Sequence, residues 1–377
     1  MRLHDVRAPD EAAAQERARA VVRRAYAERE PAPRPRRYLR PALALALVGV
    51  LVAAAVSPPG RAVLHSIRKS VAGEKHAAPE LFALPSGGRL LVNGADGPWL
   101  VQPNGSRRLL GRYRDASWSP FGRYVVVTRP NEVVAVDKKG DQRWVLPRPR
   151  VRLARWGGSR SDTRVAYLTG GRLHVVAGDG TGDVDACGEP TAARVAPAWR
   201  PTEPEHVLAF ATANGRVHVL DTDRCSVAWT SAPFPDPRAL RWSDDGRRLL
   251  LVTRDKLVVF GAASGKPLAI RWMRGVADAA FAPGLHRIGL VRRGEALTLD
   301  ADRLRARPQR IFVATGRLDQ VAWSPNGRWL LVTWPAADQL IFVRAARPHR
   351  IVAFSSISRQ LGGGRFPTLG GWCCSRS

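Results

Sequence analysis

Cysteine and histidine are scarce in this chain, with four and eight among 377 residues. The cysteines, Cys187, Cys225, Cys373 and Cys374, are too few to staple a fold of this size. No second Cys or His pair stands near Cys373-Cys374 to complete a zinc site. The first 60 residues hold one histidine, His4, and no cysteine, which argues against a zinc-binding anti-sigma head. No G-x-S-x-G segment, dense His/Asp set or added hydrolase-like block occurs. No linear pattern therefore supplies a nucleophile with its base, although side chains from separate segments can still converge. The sequence assigns no catalytic residue, no metal ligand and no cofactor.

Acidic residues are few as well: 32 Asp and Glu against 60 Lys and Arg give a formal charge of +28. Nucleic-acid surfaces cluster such charge, whereas here arginine is scattered along the chain, the pattern of a solvated basic surface. Residues 61–377 hold 49 basic and 26 acidic side chains, a surplus of about +23. That surplus draws the domain toward anionic lipid headgroups or wall polymers by an attraction that salt weakens.

Long apolar runs are missing with one exception. Residues 41–60 contain no charged side chain, and Leu43, Leu45, Leu47, Val48, Val50, Leu51, Val52 and Val56 favour bilayer insertion by roughly 2–5 kcal/mol. About 20 residues at ~1.5 Å rise just cross a ~30 Å hydrocarbon layer. Arg34, Arg36, Arg37 and Arg40 precede the run; Arg61, Arg68 and Lys69 follow it. This bias keeps the N-terminus in the cytoplasm and the remainder outside. Ala53-Ala54-Ala55 and Arg36-Arg37 also allow a cleaved or twin-arginine leader, which delivers the remainder outside all the same. Residues 10–28 read as a helix started by Pro9 and Asp10 and stopped by Pro31 and Pro33, suited to a membrane surface or a cytoplasmic partner. Residues 62–71 read as a short amphipathic helix.

What the chain does have is a repeat. Trp118-Ser119-Pro120-Phe121-Gly122-Arg123 returns as Trp323-Ser324-Pro325-Asn326-Gly327-Arg328. Weaker copies are Trp156-Gly157-Gly158, Trp199-Arg200-Pro201, Trp242-Ser243-Asp244-Asp245-Gly246-Arg247 and Phe281-Ala282-Pro283-Gly284. The aromatics Trp118, Trp156, Trp199, Trp242, Phe281 and Trp323 are 38, 43, 43, 39 and 42 residues apart. A period near 40 filled with short β-type runs is that of a propeller blade; a helical solenoid needs long 3.6-residue patterns that are absent. Each copy parses into four strands, with Ser-Pro-x-Gly as a type I turn between the first two. The second strand, as in Leu249-Leu250-Leu251-Val252, is apolar on both faces, which suits a sheet packed between two others. The aromatics are expected to fill the wedge between sheets, burying roughly 200 Å² each.

Residues 82–110 hold a degenerate seventh copy, whose missing strand comes either from residues 80–84 or from residues 366–372. Seven four-stranded blades follow, or six if neither closes the ring. His174 and His218 occupy matching repeat positions and read as an echo of the repeat. Cys187 and Cys225 fall late in adjacent repeats, as a candidate disulfide outside the cytoplasm or as two separate thiols. The expected layout is a basic head with one helix (1–37), a transmembrane helix (38–60), a linker (61–79), an all-β propeller (80–356) and a C-terminal tail (357–377).

The quoted segments resemble the TolB-like and WD-repeat-like β-propeller families, in which W-S-P-D-G-R marks the hairpin between a blade's first two strands. The likeness covers about 280 residues, strongest at 116–128, 240–253 and 321–333, while Gly157-Gly158, Arg200-Pro201 and Phe281 depart from the motif. The layout also resembles bacterial single-span membrane-anchored propeller proteins. This resemblance implies binding or scaffolding at the envelope, with a protein or an anionic envelope component as partner, and transfers no catalytic residue. Transmembrane signalling through the 10–28 helix and hydrolysis by a propeller enzyme are the alternatives. Loops between second and third strands, at 129–131, 254–255 and 334–338, are the first places to probe.

Overall fold

The computed structural model describes residues 83–191, 194–202 and 206–374, with the side chains of 187–190 outside that set. The expected 10–28 helix, the 41–60 span and the 62–71 segment lie outside the described residues. Among the described residues no helix is long and apolar enough to cross a membrane.

The described strands form seven antiparallel four-stranded sheets. Blade 1 contains β1 (Arg89–Asn93), β2 (Pro98–Val101) and β3 (Arg107–Leu109). Blade 2 is β4 (Asp115–Trp118), β5 (Tyr124–Arg129), β6 (Glu132–Asp137) and β7 (Gln142–Pro147). Blade 3 is β8 (Arg152–Gly158), β9 (Thr163–Thr169), β10 (Arg172–Ala177) and β11 (Val184–Pro190). Blade 4 is β12 (Ala198–Trp199), β13 (Val207–Ala211), β14 (Val217–Asp221) and β15 (Ser226–Thr230). Blade 5 is β16 (Pro237–Trp242), β17 (Arg248–Thr253), β18 (Lys256–Gly261) and β19 (Pro267–Trp272). Blade 6 is β20 (Val276–Phe281), β21 (Arg287–Arg292), β22 (Glu295–Asp300) and β23 (Gln309–Val313). Blade 7 is β24 (Val321–Trp323), β25 (Trp329–Trp334), β26 (Gln339–Arg344) and β27 (Ile351–Ser355). A short helix, α1 (Ile357–Gln360), then leads to β28 (Thr368–Cys373).

Strand β28 corrects the expected tail. It pairs with β1 as the innermost strand of blade 1, with Leu90 opposite Trp372 and Leu91 opposite Gly371. Of the two candidate closing segments, the C-terminal one completes the sheet, so the propeller extends beyond residue 356 and has seven blades. The innermost strands β4, β8, β12, β16, β20, β24 and β28 touch in that order, and β28 touches β4 again, closing the ring. The fit is chemical: β1 is buried over Leu90, Leu91, Val92 and Asn93, so it needs a partner on its inner edge to bond its backbone groups away from water. Residues 357–361 add Ile357 and Leu361 to the core beneath blades 7 and 1.

Second and third strands are buried almost throughout: β5 over Val125 to Thr128, β17 from Leu249 to Thr253, β25 from Leu330 to Thr333. Continuous apolar runs form strands because both faces meet a neighbouring sheet. The Ser-Pro-x-Gly turn closes through its serine. In blade 7 the Gly327 N–H donates to Ser324 O at 2.8 Å, and Ser324 Oγ accepts the Trp329 N–H at 2.9 Å while donating to Asn326 Oδ1 at 2.8 Å. Ser243 Oγ and Ser119 Oγ accept the N–H groups of Arg248 and Tyr124 in the same way, each at 2.9 Å. Gly122, Gly246 and Gly327 take φ of 61°, 64° and 64°, which glycine adopts without strain. Ser324 is fully buried, so Ser324→Ala leaves the Trp329 N–H without its acceptor. The expected cost is about 1–3 kcal/mol, read as a lower denaturant midpoint at unchanged m-value.

Candidate functional site

The inner ends of the blades build a belt of aromatic rings around the central channel. Trp118, Trp156, Trp242, Phe281 and Trp323 are buried and Trp199 is half-buried. Each stands in the same register against its second strand: Trp118 opposite Val125, Trp242 opposite Leu249, Phe281 opposite Ile288, Trp323 opposite Leu330. Trp372 opposite Leu90 is the seventh member, buried and carried by the closing strand. Four of these indoles hold neighbouring blades together by donating to the residue that precedes the previous blade's aromatic. Trp118 Nε1 reaches Gly371 O (3.3 Å), Trp199 reaches Arg155 O (2.9 Å), Trp242 reaches Ala198 O (3.0 Å) and Trp323 reaches Ala280 O (3.0 Å). Phe281 has no N–H to give, and the indole nitrogens of Trp156 and Trp372 are buried without a hydrogen bond. Nothing in the structure explains those two exceptions.

A cavity of about 480 Å³ opens at this belt, lined by all of these rings but Trp118, together with Arg155, Arg241, Asp278 and Gln320. Acid–base pairs span the blades here. Arg155 Nη1 lies 3.2 Å from Asp115 Oδ2, and Arg241 Nη2 lies 3.9 Å from Asp278 Oδ1. Asp278 also accepts the Ala279 and Val321 N–H groups. Burial raises its pKa, against the opposing pull of Arg241 and those two N–H groups. Gln320 Oε1 accepts the Leu369 N–H at 2.8 Å, joining blade 7 to the closing strand. Among the described residues no group of His, Cys, Asp or Glu has the arrangement to hold a metal ion.

Sequence reasoning looked at His174 and His218, which the structure places on β10 and β14 of different blades, against Tyr167 and Phe210. It missed His206 and His286. His286 Nδ1 lies 2.5 Å from Asp302 Oδ2 and its Nε2 lies 2.9 Å from Asp245 Oδ2, so one imidazole bridges blades 5 and 6, while Arg248 Nε donates to Asp302. His206 repeats the device two blades earlier, with Nδ1 2.5 Å from Asp223 Oδ2 and Asp162 of blade 3 at 3.7 Å from Nε2. The signal was present as Asp221-Thr222-Asp223-Arg224 and Asp300-Ala301-Asp302-Arg303, each with a histidine about 15 residues earlier. Its spacing of two blades hides it from a one-blade search.

The His286 bridge makes stability pH-dependent with a definite sign. Burial opposes the charged ring, but hydrogen bonds to Asp302 and Asp245 outweigh it, and the pKa is raised above 6.5. Its contribution is complete below 6.5 and fades as pH rises through the raised value. Burial likewise opposes charge on Asp245, but Ser243, the Arg247 N–H and His286 bring it down to about 2, so its contribution is complete above 3.8 and fades as pH falls through about 2. Thermal melts of the native chain and His286→Gln should therefore differ most between pH 3.8 and 6.5 and converge only once pH has risen through the raised His286 value. A constant difference from pH 5 to pH 9 contradicts the bridge.

The other notable surface lies on β19, the outermost strand of blade 5. Leu268, Ile270 and Trp272 are 59%, 41% and 66% exposed, three of the ten large apolar side chains exposed among the described residues, all on one face of one strand. Alternation explains the geometry: Ala269 packs toward the blade 5–6 core and Arg271 Nη1 donates to Leu304 O and Ala306 O, so the even-numbered residues point the other way. Other outer strands expose arginine, glutamine or small residues, as in β7 and β23, with a single large apolar side chain each, Val145 and Val313. The loops expected as probing sites are tied internally. Arg129 pairs with Glu132 at 2.8 Å, and Asp338 accepts from the Ser358 N–H.

Cys225 lies in the turn between β14 and β15, and the Cys187 side chain is outside the described residues, so their pairing stays an expectation. Cys373 and Cys374 are disulfide-bonded to one another at the end of β28.

Solved structures share this architecture. The C-terminal WD40 domain of Sif2 matches over 72% of this chain and 83% of its own, with 12% identity and a TM-score of 0.55. The Cps50 (Swd1) β-propeller domain of Myceliophteria thermophila matches over 75% and 99%, with 14% identity and a TM-score of 0.52. A chain of the Mitotic Checkpoint Complex matches over 75% and 87%, with 15% identity and a TM-score of 0.53. The fold is a seven-bladed WD40-type propeller. No family model matches the sequence, and no curated protein matches it. At these identities the likeness concerns the fold alone and carries no activity with it.

Proposed function

We propose that the chain is a binding or scaffold module: a TolB-like propeller held outside a bacterial cytoplasmic membrane by one N-terminal helix, which engages a protein of the envelope. The observation that carries the reading is the uncovered row of Leu268, Ile270 and Trp272 on an outer strand. Soluble monomers seldom leave contiguous apolar surface open unless it meets a partner. The uncharged 41–60 run and the arginines before it supply the tether and its orientation. Seven packed sheets, with four of their junctions tied by indole–carbonyl bonds, give a rigid frame, so the partner meets a preformed surface.

Orientation and binding are tested together. A cysteine placed at exposed Ser264 on the intact cell should react with a membrane-impermeant maleimide, and one placed at residue 20 should not. Cross-linking from a photoreactive residue at position 268 should trap one discrete envelope protein, and Trp272→Ser should lose the adduct. Labelling at residue 20 but not at 264 overturns the topology, and an adduct pattern unchanged by Trp272→Ser overturns the assignment of the surface.

A further inference from the structure

We infer that the outer edge of blade 5 takes an extended acidic segment of a partner protein as a fifth strand. The inference rests on the binding reading above and adds the partner's chemistry. Among the described residues, strand β19 is hydrogen-bonded on one side only, to β18. Its other edge therefore offers backbone N–H and C=O groups to a strand laid alongside. An added strand aligns every second side chain with Leu268, Ile270 and Trp272, so it needs apolar residues at alternate positions.

Charge selects among occupants. Lys266 stands at the start of the strand; Arg254, Lys256 and Arg274 stand at its end, and all but the half-buried Lys256 are exposed. The Lys256 ammonium lies 4.1 Å from the centre of the Trp272 ring, on the strip itself. Natural edges carry lysine within the strand to repel neighbours; here the strand's own outward face is apolar and the cations frame it. A second copy of this chain brings the same cations against themselves. The N-terminal 60 residues, with 11 basic and 6 acidic side chains, are also poorly matched. A segment with acidic residues between its apolar ones satisfies both the strip and its frame.

The probe is a labelled eight-residue peptide of alternating Glu and Val, titrated by fluorescence anisotropy into the full-length chain in detergent. Saturable binding is expected that weakens as salt rises. Binding should fall on the order of tenfold or more for the Ile270→Ser/Trp272→Ser variant. A peptide with alternate backbone nitrogens methylated on its pairing edge should lose binding, because it cannot complete the ladder, and a Lys-Val peptide should not bind. Both replaced side chains are exposed, so the variant's thermal melt should match the native one and loss of fold is separable from loss of the site. Equal binding by the methylated peptide overturns strand addition. Unchanged binding by the variant overturns the location, and self-association abolished by the variant assigns the edge to a second copy. If the acidic peptide fails while Trp272→Ser still removes the envelope adduct, the partner chemistry is wrong and the binding reading stands.

Discussion

Ending the chain at residue 366 leaves a propeller that does not fold cooperatively. The deletion removes β28, the inner strand of blade 1, and strips the partner from Leu90, Leu91, Val92 and Asn93. It also removes the Trp118 acceptor at Gly371 and the Leu369 N–H that Gln320 holds, so blades 1, 2 and 7 all lose an inner contact. A ring differs from a stack of repeats in this respect, because an open blade leaves two edges exposed rather than one cap. The gentler variant is Trp372→Ala. Its ring packs edge-on against Phe342 with centroids 5.3 Å apart, within the core shared by blades 1 and 7. Truncating a buried Trp costs about 3–5 kcal/mol, which lowers Tm on the order of 10 °C in a domain of this size. Circular dichroism and calorimetry read both. A truncated chain that melts as the full one does sinks the closing-strand assignment.

Gly157→Ala should be nearly as damaging, although it adds one methyl group. A Cβ at residue 157 would sit 2.1 Å from Trp199 Cγ and 2.4 Å from Trp199 Cβ, far inside contact distance. The obstacle is the root of a ring whose Nε1 is held by Arg155 O, so the side chain cannot swing aside without losing its bond. Overpacking of this kind costs roughly 1–3 kcal/mol or more. The diagnosis is specific because it predicts rescue: in a Trp199→Leu background the same alanine should cost much less. A double-mutant cycle from denaturant melts reads that coupling. Strict additivity contradicts the proposed clash.

The same contact shows why parts of the fold were legible in sequence and parts were not. Copies with Ser-Pro-x-Gly announced themselves because the buried serine, the turn and the φ-positive glycine form one local unit that selects its residues. The third blade reads Trp156-Gly157-Gly158 because there a neighbour's indole, distant in sequence, occupies the space of a side chain. Long-range packing overrode the local motif. The closing strand was ambiguous for a related reason: Trp372 stands 49 residues after Trp323, beyond the 38–43 of the other copies, since α1 and its loop intervene. The candidate site was far less legible. Pairs such as Arg155–Asp115 and the His286 bridge unite residues some 40 apart, and their partners are chosen by blade geometry. The strip on β19 is visible as Leu268, Ile270 and Trp272 in alternation, but only the structure shows which alternate face no blade covers.

One measurement tests the closed ring most directly. Cysteines at Asn93 and Thr368, cross-strand partners of β1 and β28, are introduced with Cys373 and Cys374 replaced by serine, and a protease site is inserted at Gly362-Gly363-Gly364. After mild oxidation and cleavage, the account predicts that the two fragments stay joined on a non-reducing gel and separate when reduced. Fragments that separate without reductant would show that the C-terminal strand does not close blade 1.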